Sequence, residues 1–165
     1  MLLISNASLN IIRCFLELPT QLHQMMTKKT DAVRSAIMRS VKSTNTQPEM
    51  VVRRMAHRLG YRFRLHRKSL PGTPDLVFPR LQKVVFVNGC FWHGHGCSRG
   101  NRTPKNNRDY WVAKIARNRE RDKINRALLR GQGWGVYVVW ECRIRDIDLQ
   151  DRLNSFLASI GDAGK

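Results

Sequence analysis

The spacing of apolar and polar residues predicts two helices where the patterned part of the chain begins. Apolar side chains recur at helical spacing from Thr30 to about Ser43. The stretch TNTQPE then opens a second helix, because Thr46 and Glu49 fit a capping box and proline is tolerated in a first turn. This helix is expected to stop at Gly60. Its inward residues are expected to be Met50, Met55 and Leu59.

In the segment that follows, apolar and polar residues alternate with the two-residue period of a β-strand. YRFRL, residues 61–65, alternates apolar and basic side chains, which predicts a strand with one solvated face. LPGTPDLVF combines a turn with a short strand that begins at Asp75. KVVFVN and WGVYVVW are almost entirely apolar, as strands covered on both faces are.

Two further helices complete the pattern. One is predicted from about Arg108 to Arg130, before Gly131 and Gly133, and the other over residues 148–160. A long helix between two buried strands predicts an α/β fold, with a mixed central sheet flanked by helices and a helical crossover. The inward face of the long helix is expected to carry Trp111, Ile115, Ile124 and Leu128.

The length of 165 residues suits one domain, and the apolar fraction of 42% is enough for a core. Residues 1–25 are mildly apolar but interrupted by polar residues, so they are interpreted as an N-terminal appendage to a single domain of residues 26–165. Met25 and Met26 offer an alternative start, and an over-extended start is a second interpretation of this segment.

The net charge is the strongest signal in the composition. Thirty Lys and Arg residues against twelve Asp and Glu residues give +18. Such a charge destabilises a compact chain by self-repulsion, which favours a polyanionic partner, nucleic acid ahead of an anionic membrane surface. No apolar run reaches the about 20 residues that a membrane-spanning helix needs.

The segment NGCFWHGHGC, residues 88–97, combines metal-ligand residue types with large rings. Cys90, His95 and Cys97 lie close together, and Cys142 follows a predicted strand that can return it to the same end of the sheet. Thiolates with one imidazole favour a closed, structural zinc site in a reducing compartment, hence the cytoplasm. The alternatives are ordinary cysteines at 90 and 97 and a buried core cysteine at 142.

Three other polar residues are candidates for chemistry. His93 remains beside the metal ligands as a candidate proton carrier, or as a surface histidine. Asp75, at a strand end in a basic protein, is a candidate magnesium ligand for phosphodiester cleavage, or a turn cap. Glu49 is explained by its capping box alone.

Large rings beside metal ligands sit on a constrained backbone. Phe91 and Trp92 are therefore candidates for a wedge between stacked bases. Trp111, at the start of the long helix, either joins them or belongs to the core.

Together these segments resemble the very-short-patch-repair DNA mismatch endonucleases (Vsr). The resemblance runs from about Asp31 to about Asp146. It is carried by IMRSVKSTNTQPE, RLGYRFRLHRKSLPGTPDLVF, VVFVNGCFWHGHGC, YWVAKIARNRERD and GWGVYVVWEC, in that order.

The resemblance implies a restriction-endonuclease-like variant of the PD-(D/E)xK fold with one structural zinc. It implies that Asp75 binds magnesium with the Val87 carbonyl, that His93 activates water and that Glu49 supports the site by hydrogen bonding. Zinc would be held by Cys90, His95, Cys97 and Cys142. The DNA contacts would be made by Phe91, Trp92 and Trp111 beside a T·G mismatch, and by Asn118 and Asp122 on mismatched or neighbouring bases.

One departure affects the expected mechanism. The best-known members of the family carry Thr-His where this chain has Val87 and Asn88. Val87 still offers its carbonyl, whereas Asn88 can hydrogen-bond a phosphate or a metal-bound water but cannot carry a proton. Proton transfer is therefore expected to depend on His93.

The expected function is magnesium-dependent nicking of one DNA strand beside T·G mismatches, which arise when 5-methylcytosine deaminates. The expected partners are double-stranded DNA with a T·G mismatch and mismatch-repair proteins, with the enzyme as a monomer. The gene is expected to accompany that of a cytosine methyltransferase. Two alternatives stay open: a zinc-stabilised DNA-binding module without activity, and a nuclease of the same fold with another DNA target.

Overall fold

The computed structural model describes residues 44–159. The helix predicted over residues 30–43, the appendage of residues 1–25 and Cys14 lie outside the described residues, so the domain boundary stays a prediction. The helices are α1 (Gln47–Arg58), α2 (Arg108–Gly131) and α3 (Leu149–Ala158), and the strands are β1 (Arg64–Leu65), β2 (Leu76–Phe78), β3 (Lys83–Asn88) and β4 (Gly135–Trp140). Within residues 44–159, no helix combines the length and the apolar character needed to cross a membrane.

The sheet is mixed, as predicted. Its strands lie in the order β1-β2-β3-β4; β1–β2 and β2–β3 are antiparallel, and β3–β4 is parallel. The parallel pair is joined by α2, which is the predicted helical crossover. The strand predicted over residues 61–65 is shorter than expected, because only Arg64 and Leu65 pair with β2.

Alternate strand residues point to opposite sides of the sheet. Both sides of β2 and β3 carry apolar residues, and helices cover both. One face of β2 and β3 packs with residues of α1 and α3, in a cluster that contains Val52, Phe78, Val85 and Leu153. The other face carries a smaller cluster of Val77, Val84 and Leu129. The fold is therefore a four-stranded mixed α/β sheet with its main core on the α1 and α3 side.

The predicted capping box begins α1. The Thr46 side chain accepts a hydrogen bond from the Glu49 amide, and the Glu49 side chain accepts one from the Thr46 amide. The helix gives way to Gly60 at φ 86°, a left-handed conformation that glycine adopts without steric cost. The expected inward residues were only partly right: Met55 and Leu59 pack on the core, but the buried positions of α1 are Glu49, Val52 and Ala56.

The predicted inward face of α2 was wrong in its second half. Ile124 and Leu128 are about half exposed, at 50% and 51%. The less exposed positions instead follow a helical stripe that is largely polar. They are Trp111, Lys114, Ile115, Asn118, Asp122, Asn125, Arg126 and Leu129. Apolar periodicity misplaced this face because much of the helix packs against a loop through polar groups.

A buried lysine ties the central strand to the last helix. Lys83 is 3% exposed, and its Nζ donates to the carbonyls of Phe156 at 2.6 Å and Leu157 at 3.1 Å and to Ser159. These carbonyls lie at the C-terminal end of α3, where a cation is favourable. Burial lowers the pKa of Lys83.

The packing of α3 predicts a large difference between two apolar residues six positions apart. Leu153→Ala is expected to lower the free energy of unfolding by about 2–5 kcal/mol, since this buried side chain lies in the main core. Ile147→Ala is the control, expected within about 0.5 kcal/mol of the parent because Ile147 is fully exposed. Chemical denaturation measures both; equal losses would contradict this assignment of the core.

Candidate active site and metal cluster

Asp75 lies between the Pro-Gly turn and β2, and the neighbouring strand holds it in place. Its Oδ2 accepts a hydrogen bond from the Val87 amide of β3 at 2.7 Å. Burial raises the pKa of Asp75, and the hydrogen bond from Val87 opposes that rise. The ionised carboxylate is therefore costly in this setting, and a bound cation would offset the cost.

A second carboxylate approaches Asp75 from α1. Glu49 is 1% exposed and pairs with the guanidinium of Arg53, one turn along the helix. His66 lies between the two carboxylates: its Nε2 is 3.0 Å from Oε1 of Glu49, and its Nδ1 is 3.9 Å from Oδ1 of Asp75. Ligand atoms of Glu49, His66 and Asp75 all lie within 4.8 Å of one another. Glu49 thus serves both the capping box and this cluster.

The sequence analysis missed Arg53 and His66. The pairing of Arg53 with Glu49 was readable from their spacing of four residues in a predicted helix. His66 carried no such signal, because its position follows from a left-handed backbone, φ 45°, just after β1.

His93 belongs to a different group of side chains. Its Nδ1 contacts the Asp122 carboxylate of α2, and Asn118, one turn earlier, donates from Nδ2 to the Trp92 carbonyl at 2.9 Å. Asp122 and Asn118, expected to contact bases, thus hold the His93 loop against α2. A Cβ on Gly94 would come within 2.8 Å of Ile115, so glycine permits this close approach.

The two groups are connected through β3. Val87 holds Asp75, and the strand continues through Asn88 into the loop that carries His93. Asn88 is buried opposite Trp140 of β4. Among residues 44–159, no hydrogen bond or ion pair joins His93 or Asn88 to Asp75 or Glu49.

An open cleft of about 530 Å³ lies beside His93. Its lining is mostly polar and includes three cationic side chains of α2, at Arg119, Lys123 and Arg126. Cations along one helix face suit a phosphodiester backbone.

The four predicted metal ligands come together at the end of the parallel strand pair. Ligand atoms of Cys90, His95, Cys97 and Cys142 lie within 4.8 Å of one another, and none of the three cysteines is in a disulfide. The Cys142 sulfur is 3.5 Å from Nδ1 of His95, whose ring stacks on Trp140 at 4.3 Å. Parallel strands bring Cys142 back because their carboxyl ends share one edge of the sheet.

The thiols of this cluster differ in acidity. Burial raises the pKa of Cys90 to about 12. A hydrogen bond with His95 lowers the pKa of Cys97 to about 6. A buried, hard-to-ionise thiol beside an easily ionised one fits a tetrahedral metal site, because a coordinated ion supplies the charge that keeps such thiolates ionised.

The predicted wedge residues form one ring cluster. The centroids of Phe91, Trp92 and Trp111 are 5.2–5.9 Å apart. All three rings are half-buried, so Trp111 joins the loop rings and is not part of the core. Two members were not predicted: Tyr110, whose ring is 5.3 Å from Trp111, and Lys114, whose Nζ lies over three of the rings.

The chain matches known endonucleases over most of its length. A family model for the DNA mismatch endonuclease Vsr matches residues 26–99. The type II nicking enzyme V.XorIIP of Xanthomonas oryzae pv. oryzae is 54% identical over 125 residues, 75% of this chain and 91% of that protein. The type II nicking enzyme V.NmeAIP of Neisseria meningitidis is 41% identical over 135 residues, 81% of this chain and 96% of that protein.

Another relative has a name that refers to DNA mismatches. The DNA mismatch endonuclease Vsr of Escherichia coli is 35% identical over 136 residues, 79% of this chain and 86% of that protein. Together with the family match and the motif order, these similarities settle the assignment predicted from the resemblance. The chain belongs to the Vsr family of DNA endonucleases.

Proposed function

We propose that this endonuclease nicks one strand of double-stranded DNA beside T·G mismatches left by deamination of 5-methylcytosine. The observation that carries the proposal is the half-exposed cluster of Phe91, Trp92 and Trp111, because two of its rings share a loop with His93. Ring insertion into a duplex costs a few kcal/mol per base step and is easiest where pairing is already weak, as at a mismatch.

Asp75 is proposed to hold a catalytic magnesium ion with the Val87 carbonyl. The surroundings fit a hard cation, since the buried Glu49 and the partly buried Asp75 lie close together and desolvation disfavours the ionised form of Asp75. When bound, the cation would polarise the scissile phosphate and stabilise the charge that develops there. Glu49 supports this site by holding His66, and Asn88 is proposed to hydrogen-bond the phosphate or a bound water.

His93 is proposed to take the proton from the attacking water. Its Nδ1 is occupied by Asp122, which leaves Nε2 as the free ring nitrogen. A carboxylate partner fixes the tautomer and stabilises the imidazolium that proton transfer produces. Lys and Arg side chains of α2 would hold the backbone without reading sequence.

A structural zinc ion is proposed at Cys90, His95, Cys97 and Cys142. The donor set leaves no open position, so this ion would constrain the loop and take no part in the chemistry. The loop would then hold the ring cluster and His93 in fixed relation. The fold is proposed to belong to the restriction-endonuclease-like class. The enzyme is proposed to act as a monomer in the cytoplasm and to contact mismatch-repair proteins.

A second DNA target is the main alternative. Five relatives are named type II nicking enzymes, which favours a nick placed by a recognition sequence around the mismatch or in place of it. A DNA-binding module without activity is the other alternative, and it predicts salt-sensitive binding with no cleavage.

The target is tested with end-labelled duplexes that differ only in one base pair. With magnesium, we expect a single-strand nick beside T·G and little cleavage of the matched T·A and C·G duplexes. Asp75→Asn is expected to lower the nicking rate by about 10³-fold or more, since several kcal/mol of charge stabilisation would be lost, while duplex binding is retained.

Asp151→Asn is the matched control for that substitution. Asp151 is exposed on α3, so its removal should leave the nicking rate unchanged. Equal nicking of matched and mismatched duplexes would contradict T·G specificity, and full activity of Asp75→Asn would contradict the mechanism.

His93→Ala is expected to lower the single-turnover nicking rate by about 10²–10⁴-fold, the usual contribution of a general base. Asp122→Asn should lower it in the same direction, because the ring loses its partner. Both variants should bind a T·G duplex in a mobility-shift assay. An active His93→Ala variant would assign the proton transfer to another group.

The metal cluster predicts about one zinc per chain after purification. Cys97→Ser and Cys142→Ser should reduce that content and lower the unfolding temperature, because the ion contributes folding free energy. Mass-spectrometric metal analysis and thermal denaturation measure the two effects. Cys14→Ser, which removes a thiol that is not among the four proposed ligands, is the control; a protein that keeps full zinc without Cys142 would overturn the ligand set.

A further inference from the structure

His66 occupies a position that the proposed mechanism leaves unexplained. It lies between Glu49 and Asp75 and is held there by a left-handed backbone conformation, φ 45°. Residues with a Cβ rarely adopt this conformation, and it is tolerated where the surroundings require it. This conformation places the His66 ring between the two carboxylates.

The two ring nitrogens of His66 have different surroundings. Nε2 is 3.0 Å from Oε1 of Glu49, which can only accept a hydrogen bond when ionised. Arg53 Nη2, which pairs with Glu49, is also 3.0 Å from Nε2. An N–H on Nε2 that donates to Glu49 leaves Nδ1 unprotonated, with its lone pair on the Asp75 side.

The separation between His66 and Asp75 suits a shared ion. Nδ1 is 3.9 Å from Oδ1 of Asp75, which is too far for a hydrogen bond. Two ligands about 2.1 Å from one octahedral ion lie about 3 Å apart when adjacent and about 4.2 Å apart when opposite. The observed 3.9 Å lies between these two values, so a shift of a few tenths of an ångström to about 1 Å would bring both atoms onto one ion.

The arrangement around His66 is also that of a supported metal ligand. A histidine that binds a metal through one nitrogen commonly donates its other N–H to a carboxylate, which fixes the ring and its tautomer. Glu49 is in that position, and its charge is balanced by Arg53.

We infer that His66 is a direct ligand, through Nδ1, of the divalent cation proposed at Asp75, and that Glu49 orients its ring. This rests on the proposed function and adds a ligand to it. An imidazole ligand shifts the preference of an oxygen site from Mg²⁺ toward first-row transition ions. The site therefore binds Mn²⁺ more tightly than Mg²⁺, and His66 supplies much of that difference.

The test uses the full-length, zinc-loaded protein with Mn²⁺ as the probe. Electron spin echo envelope modulation of bound Mn²⁺ is expected to show coupling to ¹⁴N, which changes to ¹⁵N coupling in protein labelled with [¹⁵N]histidine. His66→Asn, chosen because asparagine tolerates a left-handed backbone, should abolish the coupling. It should also weaken Mn²⁺ binding at least about tenfold and bring the Mn²⁺ and Mg²⁺ affinities closer together.

Two substitutions identify the source of the nitrogen signal. His57→Asn, at an exposed position of α1, and His93→Asn should both keep the coupling and the Mn²⁺ affinity. Coupling that survives His66→Asn would overturn the inference. So would wild-type protein that binds Mn²⁺ without histidine coupling, or that binds no Mn²⁺; the isotope-labelled wild type gives this answer even if His66→Asn does not fold.

Failure of the inference and failure of the proposed function have different signatures. If His66 is not a ligand, the wild type still nicks T·G duplexes with magnesium and Asp75→Asn still does not. If the proposed function is wrong, the nicking assay fails, whatever the spectrum of bound Mn²⁺ shows.

Discussion

The arrangement of this site depends on two carboxylates, Glu49 and Asp75, that are largely removed from water. Glu49 and Asp75 are close together, and acidic groups in such a position are unstable as a pair unless positive charge or N–H donors face them. The guanidinium of Arg53 pairs with Glu49, and the Val87 amide donates a hydrogen bond to one oxygen of Asp75. The other oxygen of Asp75 faces His66, and this is where the proposed cation would supply the missing positive charge.

The less exposed face of the long helix α2 holds a loop in place. Its less exposed face is rich in polar side chains, and Asn118 and Asp122 use it to hold the loop of residues 88–97. The same loop carries three of the four cluster residues, Cys90, His95 and Cys97, and two of the rings, Phe91 and Trp92. Loop position therefore depends on hydrogen bonds from α2 as well as on the metal proposed for the cluster. This explains why a helix with few buried apolar residues is nevertheless firmly placed.

Much of the fold was predictable because it rests on local patterns. The capping box of α1, the buried strands β3 and β4 and the helix between them all follow from residue spacing. The inward face of α2 was not, because apolar periodicity finds the face that meets a core, whereas this face meets a polar loop. His66 was missed for a related reason: its place beside Asp75 depends on backbone geometry after β1 and on strand pairing, which no short motif reports. Arg53, by contrast, was within reach of a simple helical-spacing argument.

The contact between Lys83 and the end of α3 constrains the order in which the chain can mature. The ammonium group is buried at the start of the central strand, yet its carbonyl partners lie more than 70 positions later, from Phe156 onward. During synthesis, β3 emerges from the ribosome long before those carbonyls exist. A nascent chain that has completed only the sheet must therefore keep this amine hydrated. The native core around the start of β3 therefore closes only once α3 is available to supply these carbonyls.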